Sequence, residues 1–97
     1  MKVRYSLRAT TDIIAIADYL TERNRVAARA VEGGIRRAVE LLSEFPGSGR
    51  VLTQRSNVRI MPVIHYPYLI FYTATSDEVL ILHVRHGART PVKPQEL

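Results

Sequence analysis

YLIFYTATSDEVLILHVR, residues 68–85, decides the fold of this chain. Residues 68–73 are almost all aromatic or aliphatic, which favours a strand, and residues 79–85 predict a second one. Between them, residues 74–78 have the composition of a hairpin turn. The second strand begins apolar on both faces, which is typical of a strand buried on two sides. Regular alternation would place Val79, Ile81, His83 and Arg85 on one face and Leu80, Leu82, Val84 and His86 on the other.

Two amphipathic helices are predicted upstream of this hairpin. The first has an apolar stripe at helical spacing, formed by Ile13, Ile16, Ala17 and Leu20. The second keeps the same period from Ala27 to Phe45, and Ser6 and Asn24 are suited to cap the two helices. Because the link around Asn24 is short, the helices should form an antiparallel hairpin. Gly34 lies on the apolar side of the second helix, where another element could approach closely.

Two shorter strands complete the pattern, one over residues 2–5 and one over residues 57–61. The segment Pro46-Gly47-Ser48-Gly49 separates the helical half from the strands. The predicted order is therefore β-α-α-β-β-β. It describes an α+β fold in which a helical hairpin packs on a small, mainly antiparallel sheet, with a single domain over residues 1–97.

Composition narrows the classes of function. The chain has 14 Lys and Arg against 9 Asp and Glu, a net charge of +5, so nucleic acid, the ribosome or an acidic protein are plausible partners. There is no Cys, which excludes disulfides and thiolate chemistry. No apolar run approaches the roughly 18 residues that a membrane span needs, and the N-terminus lacks a signal-peptide pattern. We therefore expect a cytoplasmic protein with no membrane association.

Several ordered segments resemble the RelE/ParE superfamily of bacterial type II toxins, and its ParE branch in particular. Residues 12–20, DIIAIADYL, resemble the first helix of that branch, and residues 45–50, FPGSGR, resemble its P-x-x-G-R turn. Arg59, the segment 66–72 and the terminal motif His86-Gly87-Ala88-Arg89 resemble its sheet and its His-x-x-Arg signature. The similarity spans about residues 3–90. One departure is Thr90, which stands where ParE-like chains often have an acidic residue.

The resemblance implies a toxin that a cognate ParD-like antitoxin neutralises. For the ParE branch it implies DNA gyrase as the target, inhibited by direct binding. For the RelE branch it implies cleavage of mRNA on the ribosome. A third alternative is a chain that keeps the fold and has lost toxicity.

A ribonuclease of this kind needs a base, an acid and a cation at one point in space. Under that alternative the catalytic residues would be Arg59, His86 and Arg89. The residues after Arg89 contain no Tyr or His, unlike those of RelE-type enzymes, and a strand spacing of three separates His83 from His86. We therefore expect no catalytic residues, and we expect Arg59, Arg85, His86 and Arg89 to contact the target or the antitoxin.

No cofactor is expected. His83 and His86 have the spacing of a weak metal motif, but no Cys, Asp or Glu lies near them in the sequence to complete a coordination shell. The sequence therefore predicts no metal site.

Overall fold

The computed structural model describes residues 1–87, apart from the side chain of Ser56. The elements are β1 (Lys2–Tyr5), α1 (Leu7–Arg23), α2 (Arg25–Glu44), β2 (Arg50–Leu52), β3 (Arg55–Pro62), β4 (Tyr68–Ala74) and β5 (Glu78–His86). The predicted α+β architecture is confirmed, with one addition. Strand β2 was not predicted, because three residues are too few to carry a periodic pattern.

Both helices begin at the residues that the sequence indicated. The Ser6 hydroxyl accepts a hydrogen bond from the Ala9 N–H at 3.0 Å, and the Asn24 side chain accepts one from the Ala27 N–H at 3.1 Å. Each contact satisfies one of the amide donors that the first turn of a helix leaves without a partner. Because Asn24 also ends α1, the turn between the helices is tight and the helices run antiparallel.

The five strands form one sheet in the order β1-β5-β4-β3-β2. Strand β1 runs parallel to β5, and the other neighbours pair antiparallel. The helical hairpin covers one face, and the main core lies between that face and the helices. Leu42, Ile70 and Tyr72 are fully buried there. Burying an aliphatic side chain such as Leu42 or Ile70 contributes about 1.5–3 kcal/mol.

A β-bulge in β5 corrects the predicted alternation of that strand. Phe71 pairs with His83 whereas Tyr72 pairs with Ile81, so Leu82 is an extra residue between two regular stretches. As a result, Val84 shares the main core with Val79 and Ile81, and Leu82 packs in a second cluster with Phe71. The prediction that Val79, Ile81, His83 and Arg85 share one face was therefore wrong, because an inserted residue reverses the faces of every residue after it.

The close approach predicted at Gly34 is confirmed. A Cβ atom at this position would lie 3.0 Å from the Tyr66 ring and 3.1 Å from Val63 Cγ1. The segment between β3 and β4 therefore rests directly on the α2 backbone, and a larger residue would push it away.

Candidate functional site between the first helix and the last strand

The end of β5 lies beside α1 because β1 is too short to accompany it. β1 pairs with β5 only as far as Ile81. Beyond that point Ser6 continues the pairing, since its N–H donates to the Ile81 carbonyl at 2.9 Å and its hydroxyl donates to the Leu82 carbonyl at 2.8 Å. The residue that caps α1 therefore also fixes where the helix starts along β5.

Asp12, which follows Ser6 by six residues in the sequence, continues this set of contacts from α1. Its Oδ2 accepts a hydrogen bond from the Val84 N–H at 3.0 Å and is hydrogen-bonded to Nδ1 of His83. Its Oδ1 lies 3.4 Å from Nε of Arg8. The His83 side chain is 4% exposed and that of Asp12 is 16% exposed, so this is a largely buried pair. His83 is thus held inside the protein by its ring nitrogen, in a structural contact rather than at a substrate surface.

A cleft of about 670 Å³ opens between α1 and the end of β5. We refer to it as the α1–β5 cleft. Its wall is mostly apolar, and Arg85 and His86 stand at the end formed by β5. Its lining comprises Asp12, Ala15, Ile16, Tyr19, Leu20, Val31, Pro67, Tyr68, Val84, Arg85 and His86. An apolar wall beside two basic side chains suits an amphipathic partner segment that carries carboxylates.

Two of the four predicted contact residues, Arg85 and His86, border this cleft. The His86 ring packs edge-on against Tyr68, with ring centroids 5.5 Å apart and an interplanar angle of 77°. Arg85 pairs with Leu69 across the β4–β5 ladder. The expected separation of His83 from His86 is confirmed, because His83 packs against Phe71 in the second cluster whereas His86 packs against Tyr68 of the main core.

Arg59 lies in a different part of the sheet. It pairs with Tyr72, whereas His86 pairs with Tyr68 on the other side of β4. Four residues of a strand span roughly 13 Å, and β3 is separated from β5 by β4. The Arg59 guanidinium is turned toward the segment after α2, where its Nη1 donates to the carbonyls of Gly49 at 2.7 Å and Gly47 at 3.3 Å. The structure therefore does not bring Arg59 together with His86.

Tyr72 holds the same segment from the buried side. Its hydroxyl donates to the Pro46 carbonyl at 2.7 Å and accepts from the Gly49 N–H at 2.9 Å. Burial raises the pKa of Tyr72, and the hydrogen bond from Gly49 and the charge of Arg59 partly offset that effect. The P-x-x-G-R turn is therefore a structural joint, anchored by one residue of β3 and one of β4.

Arg89, the fourth predicted contact residue, lies outside the described residues.

Asp12 and Tyr72 were not singled out as functional or structural anchors by the sequence. A signal for Asp12 existed, since a carboxylate beside the Ile13 and Ile16 stripe has to find a partner when that side of the helix is covered. Tyr72 had no comparable signal, because its hydroxyl partners are backbone groups more than 20 residues away in the sequence.

Within residues 1–87, no three His, Cys, Asp or Glu side chains come together as a potential metal site. In the same part of the chain, neither helix is long and apolar enough to cross a membrane.

Comparison with known proteins identifies the family. Residues 3–91 match the family model described as the ParE toxin of the type II toxin-antitoxin system parDE. The chain is similar to Toxin RelE2 of Caulobacter vibrioides, with 33% identity over 88 residues, which cover 91% of this chain and 97% of that protein. The protein Y4kP of Sinorhizobium fredii is 35% identical over 86 residues, which cover 89% of this chain and 88% of that protein.

The fold has a counterpart among solved structures. A chain of the chromosomal ParDE TA system from P. aeruginosa superposes with a TM-score of 0.75 at 19% identity, covering 89% of this chain and 95% of that chain. At this identity the likeness concerns the fold alone. The family match over nearly the whole chain shows that this chain belongs to the ParE toxin family of type II toxin–antitoxin systems.

Proposed function

We propose that this toxin acts by binding DNA gyrase directly, that the α1–β5 cleft is its main contact surface, and that a cognate ParD-like antitoxin neutralises it in the cytoplasm. The observation that carries the proposal is the placement of Arg85 and His86 at one end of an apolar cleft. Such a surface binds a protein by burying apolar area in the middle and pairing charge at the rim.

The positions of the basic residues favour binding over RNA cleavage. A ribonuclease mechanism based on Arg59, His86 and Arg89 requires these groups to meet at one scissile phosphate. Arg59 is bonded to the turn carbonyls of Gly47 and Gly49 and is separated from His86 by strand β4. His83 is bonded to Asp12 in the interior. The alternative, a ribosome-dependent endoribonuclease, would require Arg59 to leave the turn carbonyls and reach the same phosphate as His86.

Expression of the chain without an antitoxin tests the proposal. We expect growth arrest accompanied by gyrase-dependent DNA breaks, with cellular transcripts intact. Cleaved transcripts with undamaged DNA would overturn the proposal in favour of the endoribonuclease. Normal growth with neither effect would indicate a chain that has lost toxicity.

A further inference from the structure

We propose that Asp12 is a positioning residue: by holding the β-bulge of β5, it determines that His86 faces the α1–β5 cleft. The bulge inserts Leu82 between two regular stretches, and on the open edge of β5 it is bonded to the Ser6 N–H, the Ser6 hydroxyl and the Asp12 carboxylate. This inference rests on the proposed role of the cleft as a contact surface.

The bulge reverses the sides of every residue after Leu82. With regular pairing, the residues on the side of Val79 and Ile81 would continue with His83 and Arg85, so Arg85 would lie on the helix side of the sheet. With the bulge, Val84 takes that side and His86 packs on Tyr68. Regular and bulged pairing would thus place different side chains of residues 83–86 on the helix side, and the two differ by a shift of one residue.

Asp12 favours the observed arrangement over the alternative. Its Oδ2 binds two successive residues of β5, the Val84 N–H and the His83 ring, which a regular strand would direct to different places. A carboxylate that accepts hydrogen bonds from a backbone amide and a ring nitrogen fixes the local backbone as well as the side chain. Asp12 belongs to the DIIAIADYL segment of α1, so this segment has a task besides burying its apolar stripe.

The first experiment examines the free protein by NMR. We expect Asp12→Ala to abolish the cross-peaks between the rings of His86 and Tyr68 and to speed hydrogen exchange of the Val84 amide. Asp12→Asn keeps an oxygen acceptor, so its ring cross-peaks and its Val84 exchange rate should both be like those of the wild type. Asp18→Ala, an exposed carboxylate on the same helix, is the matched control and should leave both unchanged.

A second variant covers the case in which Asp12→Ala does not fold. Asp12→Glu keeps the charge but extends the side chain by one methylene, so it should displace His86 from Tyr68 although the charge is intact. The proposal would be overturned if the contacts between the His86 and Tyr68 rings were unchanged in both Asp12→Ala and Asp12→Glu. If Asp12→Ala does not fold, unchanged ring contacts in Asp12→Glu would overturn it.

A double-mutant cycle relates the geometry to function, with purified bacterial DNA gyrase as the probe. Asp12→Ala should weaken inhibition of supercoiling about tenfold in the native background and less than about twofold in the His86→Ala background, because Asp12 acts through His86. Additive losses would overturn the proposal. If the wild-type chain leaves gyrase unaffected, the proposed target is wrong, and the NMR measurement on the free protein still decides the role of Asp12.

Discussion

At the scale of single residues, three side chains join distant parts of the chain through backbone groups. Tyr72 and Arg59 anchor the turn after α2, and Asp12 anchors β5 to α1. Each of these side chains contributes more to stability than a surface hydrogen bond does. Removing the side chain leaves a buried or partly buried backbone group without its hydrogen-bond partner.

Tyr72→Phe should lower the free energy of unfolding by about 1–3 kcal/mol, since the Pro46 carbonyl and the Gly49 N–H both lose the hydroxyl. Urea denaturation measures the change. Tyr19→Phe is the control, because Tyr19 lies half exposed on α1 and its hydroxyl makes no hydrogen bond to the described residues. A Tyr72→Phe protein as stable as the control would show that the turn does not depend on this hydroxyl.

The pH dependence of stability gives a second test of Tyr72. Its pKa is raised in the folded protein because burial penalises the phenolate. A raised pKa means that the folded state holds the phenol proton more tightly than the unfolded state does. The stability that Tyr72 contributes is therefore complete below pH 10, and it is lost as the pH rises through the pKa of Tyr72 in the folded protein. The stability difference between wild type and Tyr72→Phe should therefore shrink above pH 10, as followed by urea denaturation at a series of pH values. A difference that stays constant or grows would contradict this.

At the scale of elements, the turn after α2 is shaped by one of its two glycines. A Cβ at Gly49 would lie 2.6 Å from the Tyr72 hydroxyl and 2.9 Å from the Ile60 carbonyl, and the carbonyl belongs to the backbone of β3 and has little freedom to move. Nothing lies within 4 Å of the corresponding position at Gly47. No glycine among the described residues has a positive φ, so space rather than backbone conformation distinguishes the two.

Gly49→Ala should therefore destabilise the protein by more than about 1 kcal/mol, whereas Gly47→Ala should change stability by less than about 0.5 kcal/mol. Thermal unfolding of the two variants side by side provides the measurement. Equal melting temperatures would mean that the turn is held less tightly than its contacts indicate.

The elements that the sequence predicted are those with strong local signals. Ser6 and Asn24 cap helices whose apolar stripes are regular, and residues 68–73 have the composition of a strand. The bulge at Leu82 has no local signal, because no Gly or Pro marks it and its stabilising partners, Ser6 and Asp12, lie far away in the sequence. Reading β5 as a regular strand therefore predicted the wrong face for Val84.

At the scale of the whole molecule, the helical hairpin has two roles. It covers the core face of the sheet, and through α1 it forms one wall of the cleft that Arg85 and His86 complete. Two of the four predicted contact residues, Arg85 and His86, meet there, and of these only His86 belongs to the His-x-x-Arg motif. The distance of Arg59 from them could not be predicted, because strand order and register are properties of the assembled sheet. The excess of basic residues suits an acidic protein partner and fast, salt-dependent association.

The most direct test of the proposed function is inhibition of supercoiling by purified gyrase, measured beside mRNA cleavage in a purified translation system. The wild-type chain should inhibit gyrase and leave ribosome-bound mRNA intact. Arg85→Ala and His86→Ala should each weaken inhibition about tenfold, because the first removes a charge from the end of the α1–β5 cleft and the second removes the ring that lines it. Arg29→Ala, on the exposed side of α2, should inhibit like wild type. Untouched gyrase together with cut mRNA would contradict the account.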